Sequence, residues 1–560
     1  MSKQKATTVD LGTNPKATFE WQGEHGGSAD TAKTRANPIT IMAALLLIAL
    51  VLRTVPVLHP LDVIDNQTLV DDTYLSLEIA KNIGLGKGPL YKHEHTSGYQ
   101  PLYVLLAAPL FIGFDEANAS VADLDAKVRQ ALALLIVFDL GSLMLLGMLL
   151  ARQFGWRTPT YVGMLLWAIH PMIIKNALNG METSISTFFL LLTFYFFQYV
   201  SRRSLNLGTR FLFGLIIGMA VLARIDLAIL GFWILVTELN DVRLKRWTFV
   251  QASISLIVTF VGFLISYLPW LLWSYSYTGD LFPVSGSGVR FQSLILLNAH
   301  NDGQPFLWSM VSVLATVLYP AYKSPLLYIV GAVLLIWAFR KRRDQSHWLA
   351  GFSSYFSPWA IIIAFSVTLI FSYGLYIMGW WFYDRYLFCL IFIPIVAVVT
   401  ASHLYLEKSS NPKAARNILL AVIALCLVQP RLWTMELGIN SKDYQGYRSL
   451  GIWLNETLPA GSTVGSMQTG GLGFYGTNLN VINLDGVVNK PALEALKAGQ
   501  IEKYIQDEQL DYIVGWNVNT TALARTSQLG EGIKDKLTLL ETSEFVTWYF
   551  SDWDLYKVEF

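Results

Sequence analysis

Cysteine is nearly absent from this 560-residue chain, which has only Cys389 and Cys426. Both fall inside apolar runs, so no disulfide is expected to hold the fold. Charge is scarce as well: 14% of residues are charged, and 41 basic against 40 acidic side chains leave a formal net charge of +1. With no basic surplus there is nothing for a polyanion to bind, which excludes nucleic acid as a partner. The first residues lack the short apolar core of a cleavable signal peptide, so none is expected. No repeat at solenoid periods is visible. What the chain has instead is apolar bulk. It is 53% hydrophobic, with a mean hydropathy of +0.43, too apolar for a soluble protein of this size.

Residues 1–36 are polar and aperiodic and read as a disordered cytoplasmic tail. Apolar runs then suggest about eleven transmembrane helices by length. They cover 39–57, 128–150, 159–175, 183–200, 211–223, 226–238, 249–273, 325–339, 357–378, 386–406 and 415–433. Basic residues are retained on the cytoplasmic side. Arg152/Arg157, Arg202/Arg203/Arg210, Arg243/Lys245/Arg246, Arg340–Arg343 and Lys408/Lys413/Arg416 can all be placed there together with the N-terminus. Within this 37–433 membrane domain the outer segments are then 58–127 and 274–324, and the C-terminal 434–560 follows as an extracytoplasmic domain. The sequons at Asn66, Asn118, Asn455 and Asn519 all fall outside. Trp and Tyr flank many spans, as interfacial anchors do.

In the first outer segment, 74–84 and 99–113 read as helices lying at or dipping into the membrane surface. The C-terminal domain alternates helices (444–458, 491–508) with strands (463–467, 480–484, 511–516, 545–550, 555–560), a small α/β pattern. Gly471-Leu-Gly-Phe-Tyr-Gly476 matches G-x-G-x-x-G. A strand is expected after it, and Asp485 is too near for the usual ribose contact, so it reads as a glycine-rich turn rather than a dinucleotide site.

Asp71 and Asp72 carry the most information. Either they cap a helix starting near Thr73, or they do chemistry, since neighbouring carboxylates repel and one is driven toward proton transfer. His93 and His95 read as solvated loop histidines or, less simply, as metal ligands. Arg224 and Asp226 read as a local ion pair or as a phosphate contact, and Glu182 as a cavity liner or a solvated group. Aromatic girdles explain Tyr383 and Tyr386 but not the adjacent Arg385. Lys175, Arg290, His300 and Lys323 are lesser outer-face candidates.

Asp71-Asp-Thr-Tyr74, Ala80-Lys-Asn82, Gly86-Lys-Gly88 and Thr96-Ser-Gly-Tyr-Gln-Pro-Leu102 resemble the first outer loop of the GT-C glycosyltransferases. The likeness is strongest to the bacterial branch that includes the terminal arabinofuranosyltransferases. Asn179-Gly-Met-Glu-Thr183, Leu222-Ala-Arg-Ile-Asp226, Asp384-Arg-Tyr386 and Gly470–Asp485 are similar to later motifs of that branch. One departure stands out: Tyr91-Lys-His-Glu-His95 replaces the usual Asn-Pro-Gly-Glu turn, which leaves sugar and acceptor open.

The resemblance implies an α-helical integral membrane protein of GT-C type. It also implies a polyprenyl-phosphate-sugar donor, an inverting transfer and an aspartate base, with Asp71 favoured over Asp72. The acceptor would be a saccharide, a glycolipid or a protein. Arg385 and Arg224 become phosphate candidates, and Glu182, Tyr383, Thr96, Tyr99 and Gln100 donor-binding candidates. Mg²⁺ or Ca²⁺ at Asp71/Asp72 is conceivable from the carboxylates, and no nucleotide cofactor is expected. The rival reading, a transporter or flippase of lipid-linked saccharides, predicts broken helices in paired halves.

Overall fold

Asn37 and Pro38 set the first helix, α1 (Pro38–Leu58): the asparagine side chain accepts the Ile39 N–H at 3.0 Å, and the proline occupies the first helical position. The computed structural model describes residues 37–201, 206–300, 359–378, 383–408, 446–516, 531–543 and 553–560, with scattered positions between. The expected spans 325–339 and 415–433, the strand 545–550 and the tail 1–36 lie outside the described residues or largely so.

The first outer segment holds α2 (Leu61–Gln67), α3 (Asp71–Gly84), a two-residue hairpin β1 (Leu90–Tyr91) and β2 (Glu94–His95), and α4 (Pro101–Ala107) continued by a 3₁₀ turn. Seven helices follow: α5 (Val121–Phe154), α6 (Thr158–Ile169), α7 (Pro171–Ala177), α8 (Thr183–Tyr199), α9 (Leu207–Ala223), α10 (Ala228–Arg243) and α11 (Phe249–Thr278). The second outer segment contributes α12 (Val284–His300), and α13 (Ala360–Ser372) and α14 (Phe392–Lys408) come later. Among the described residues, four stretches are long and apolar enough to cross a membrane: 38–58, 121–154, 249–278 and 360–377. The other apolar helices are shorter, so the expectation of eleven full spans rests on sequence alone. Capping boxes start α5 at Ser120 and α11 at Thr248, and Gly279, with φ 68°, ends α11. On α11, Ile254, Ile257, Val261 and Ile265 are exposed, a surface that suits hydrocarbon rather than water. Its opposite side packs on α9 so closely that a Cβ at Gly214 would sit 2.0 Å from the Thr259 carbonyl oxygen.

The expected single span 159–175 is two helices, because Pro171 cannot donate into the preceding turn. Arg53 serves this break. Its Nε lies 2.5 Å from Asp139 Oδ2, and its other nitrogens donate to the carbonyls of Ala168 (2.7 Å) and Trp167 (3.2 Å) at the end of α6. Both charged groups are buried. Asp139→Ala strands the guanidinium, at a cost of about 3–5 kcal/mol. A thermal melt in detergent checks this; an unchanged midpoint would show that the pair does not hold the break.

The C-terminal domain comprises α15 (Tyr447–Thr457), β3 (Thr463–Ser466), α16 (Gly470–Tyr475), β4 (Asn480–Asn483), α17 (Lys490–Lys497), α18 (Ile501–Asp507), β5 (Tyr512–Trp516), β6 (Leu537–Ser543) and β7 (Trp553–Val558). The sheet order is 4-3-5-7-6, with β3 parallel to β4 and β5, and β7 antiparallel to β5 and β6. The expected helix 491–508 is broken at Gly499, where φ is 66°. β6 has no counterpart among the expected elements. This domain covers α3, whose Thr73 to Asn82 are buried, so α3 does not lie on a membrane surface as the sequence suggested.

Candidate active site

Neither aspartate caps α3. Val70, in extended conformation, holds that position, and Asp71 and Asp72 are the first two helical residues. Thr73 ties the helix start down: its hydroxyl donates to the Asn179 carbonyl at 2.8 Å. Gly180, with φ 71°, lets the Asn179–Thr183 turn approach, because a Cβ there would meet the Thr73 methyl at 2.2 Å.

Asp71 caps a different helix. Its Oδ2 accepts the Gly470 N–H (2.9 Å) and its Oδ1 the Gly471 N–H (3.1 Å). These are the opening N–H groups of α16, which have no partner within their own helix. A Cβ at Gly470 would lie 1.9 Å from the Asp71 carbonyl oxygen, so only glycine permits the contact. The glycine-rich segment expected as a turn is therefore a short helix docked on the first outer segment. Arg448 reinforces the dock with ion pairs to Asp62 (2.6 Å) and Asp125 (2.8 Å), and the Tyr91 hydroxyl donates to the Thr469 carbonyl at 2.7 Å.

Asp72 faces the other way. Its Oδ2 lies 2.5 Å from Arg385 Nη1, and the two side chains keep 29% and 15% exposure in surroundings that are otherwise buried. Arg385 also donates to the Tyr386 hydroxyl at 3.1 Å. The ring of Tyr386 stacks on Tyr373 and carries the guanidinium groups of Arg385 and Arg224 within 5.0 Å of its centroid.

Arg224 is committed to its neighbours. It grips Asp226 at 2.6 and 3.2 Å, donates to the Tyr373 hydroxyl at 2.8 Å and reaches the Arg385 carbonyl at 3.3 Å. The ion-pair reading of Arg224 and Asp226 thus holds, with the added result that Arg224 positions Arg385. Glu182 is fully buried, 3.7 Å from Arg224, which removes the solvated alternative. Tyr383 is buried and donates to the Tyr373 carbonyl at 3.2 Å, supporting the aromatic pair.

Thr96, Tyr99 and Gln100 sit at a three-way junction. Thr96 accepts the Gly98 N–H, Ser97 contacts Asp280 and the Val284 N–H, and a Cβ on Gly98 would strike the Val487 carbonyl oxygen at 2.1 Å. Among the described residues, no hydrogen bond or ion pair joins these three to Asp72. The same junction brings in Asp485, the last residue of the Gly470–Asp485 stretch, which was not among the candidate site residues. Its carboxylate accepts the Val487 N–H at 2.8 Å, and its carbonyl accepts from Gln292 of α12 at 2.8 Å.

Burial pushes the Asp71 carboxyl up to about 7 against the pull of the Gly470 and Gly471 N–H groups, and the charges of Asp72 and Asp485 add to the rise. Burial also pushes Asp485 up to about 7, with Asp72 adding, and Asp65 up to about 6. A carboxyl raised on folding stabilises most below its unfolded pKa of about 4, and that contribution is lost as pH rises through its folded value. The dock of the C-terminal domain should therefore loosen between about pH 4 and pH 7. Hydrogen exchange of α16 followed against pH checks this; the pH dependence should shrink in Asp71→Asn.

The remaining candidates lie elsewhere. His93 and His95 are exposed, and His95 packs on Tyr277. Arg290 lies over the Tyr376 ring at 3.9 Å. Lys175 is on α7; the side chain of His300 and the whole of Lys323 lie outside the described residues. No group of three metal-ligating side chains occurs among the described residues. Both Asp71 oxygens are taken by N–H groups, and Asp72 Oδ2 by the Arg385 guanidinium.

Comparison with solved structures identifies the architecture. The oligosaccharyltransferase AglB of the archaeon Archaeoglobus fulgidus, solved with an inhibitory peptide and a dolichol-phosphate, superposes with a TM-score of 0.55 at 15% identity over 88% of this chain and 71% of its own. ArnT of Cupriavidus metallidurans, bound to undecaprenyl phosphate, gives 0.52 at 12% identity over 92% and 97%. The likeness to both shows a shared fold. A family model described as Domain of unknown function (DUF8728) matches residues 437–557, the docked C-terminal domain. A search of curated proteins by sequence gives no match.

Proposed function

We propose that this protein is a membrane glycosyltransferase that moves a monosaccharide from a polyprenyl-phosphate donor to an acceptor hydroxyl at the extracytoplasmic membrane face. One observation carries the reading. Asp72 and Arg385, 313 residues apart in sequence, meet at 2.5 Å as a partly accessible ion pair within a buried polar cluster. A carboxylate that can take a proton thus stands beside a cation suited to a departing phosphate. The fold shared with proteins solved holding dolichol-phosphate and undecaprenyl phosphate supports a lipid phosphate as leaving group.

The chemistry follows from the geometry. Asp72 accepts the proton of the acceptor hydroxyl as its oxygen attacks the anomeric carbon. The bond to the lipid phosphate breaks on the opposite face of the sugar, with inversion, and Arg385 neutralises the phosphate. Base and leaving group then stand on opposite sides of the ring, so the Asp72–Arg385 contact opens when the sugar enters. Asp72 is assigned as the base over Asp71, because both Asp71 oxygens are held by backbone N–H groups. Arg224 acts through Arg385, and no step is routed through a cation. The sugar moved is a hexose or a pentose, which a panel of donors distinguishes. The basic-residue pattern places the N-terminus in the cytoplasm and the C-terminal domain outside. Purified protein in nanodiscs is incubated with polyprenyl-phosphate pentoses and hexoses, and lipid masses are recorded. Conversion of a glycosylated lipid to bare polyprenyl phosphate with acceptor present supports the reading; an unchanged lipid pool across the panel refutes it.

A further inference from the structure

Most buried polar atoms in a folded protein find a partner, and one that does not costs about 1–3 kcal/mol, more when charged. Beside the Asp72–Arg385 pair, three such atoms stand out. Both carboxylate oxygens of Glu182 and the hydroxyl of Tyr103 are buried, and none has a hydrogen-bond partner among the described residues. Both side chains have 0% exposure. Arg224, at 3.7 Å from Glu182, is beyond hydrogen-bond reach and is already held by Asp226 and Tyr373. Glu182 lies 3.7 Å from Arg224, which in turn reaches the Arg385 carbonyl at 3.3 Å, and the Glu182 charge is felt at the Tyr103 hydroxyl. Tyr103 is on α4 and Glu182 opens α8, so two separate elements deliver unpartnered oxygens to one place.

As packing, this arrangement is poor. Phenylalanine would fill the Tyr103 site without an orphan hydroxyl, and glutamine would fill the Glu182 site without a buried charge. Local choices that weaken a fold are characteristic of sites kept for a ligand. The chemistry narrows the ligand. A carboxylate repels phosphate and accepts hydrogen bonds, and a phenol both donates and accepts. Together they match a group bearing adjacent hydroxyls, each able to donate to Glu182 and accept from Tyr103.

We propose that Glu182 and Tyr103 hold the ring hydroxyls of the donor's sugar, while Arg385 holds its phosphate. This rests on the transferase reading above and extends it to the residues that select the sugar. A site whose buried groups are left unpaired by the wrong ligand discriminates strongly, so donors lacking the matching hydroxyl are rejected here.

Tyr103→Phe tests the proposal, because a structural and a sugar-binding hydroxyl predict opposite stability changes. The variant is purified in nanodiscs, its thermal midpoint is measured, and binding of two probes is titrated: bare decaprenyl phosphate and decaprenyl-phosphate arabinofuranose. The expected result is an equal or higher thermal midpoint, with binding of the sugar-bearing lipid weakened at least about tenfold and bare lipid phosphate unaffected. Glu182→Gln should weaken the same lipid in the same selective way. A lower midpoint for Tyr103→Phe would mean that the hydroxyl has a structural partner such as a buried water, and would overturn the assignment. So would unchanged affinity for the sugar-bearing lipid, with the transferase reading left standing. Wild-type protein that binds neither lipid would sink both.

Discussion

Asp72→Asn is expected to lower sugar transfer by about 10²–10⁴-fold, the range spanned by a positioned general base. Asparagine keeps the shape of the side chain and can still accept a hydrogen bond from Arg385, so folding and membrane insertion should be preserved. The partial exposure of Asp72 allows an acceptor to reach it, whereas Asp71 is 6% exposed and fully engaged. The two neighbours should therefore fail differently. Asp71→Asn replaces one accepting oxygen with an NH₂ group that faces a backbone N–H, so its loss should appear first as a loosened C-terminal domain. Single-turnover rates measured alongside hydrogen exchange of α16 separate the two. Asp72→Asn with wild-type rates would remove the proposed base.

Gly470→Ala is the second large effect. Its methyl group would lie 1.9 Å from the Asp71 carbonyl oxygen and 2.8 Å from Asp71 Oδ1, and the nearer of these is backbone that cannot rotate away. The cost should reach or exceed the upper end of ordinary overpacking, about 3 kcal/mol. Because the clash is confined to the dock, the membrane helices should remain folded while residues 446–516 gain hydrogen exchange and transfer is lost. Gly499→Ala provides a contrast in the same domain: no atom stands within 4 Å of its added Cβ, and only the strain of φ 66° is incurred. Equal exchange in Gly470→Ala and wild type would show that the domain does not depend on this contact.

Much of this was legible in the residue order. The apolar run 249–273 gave α11 at its observed start, Phe249, whereas the run 128–150 gave only the apolar part of α5, which begins at Val121. The Asp71-Asp72 doublet drew attention to the start of α3, and Arg385, unexplained by interfacial aromatics, pairs with Asp72 there. The parts that were not legible share a cause. α16 has six residues and no apolar period, so only its contact with Asp71 explains why it is helical. Asp485 closes the Gly470–Asp485 stretch, but its relation to Asp71 and Asp72 exists only once the C-terminal domain folds back. Tyr103 lies in the apolar α4 with no motif around it, and its missing partner is visible only in three dimensions. The breaks at Pro171 and Gly499 were readable from proline and glycine, and were passed over because the apolar pattern runs through them.

The hydrogen bonds from Gly470 and Gly471 to Asp71 join positions about 400 residues apart. During synthesis, the first carboxylate therefore leaves the ribosome long before the backbone that must receive it. Until the last stretch is translated, the nascent polypeptide holds Asp71 without the N–H groups that its oxygens accept. Premature termination anywhere ahead of α16 would thus leave that carboxylate unsatisfied and α3 without its cover.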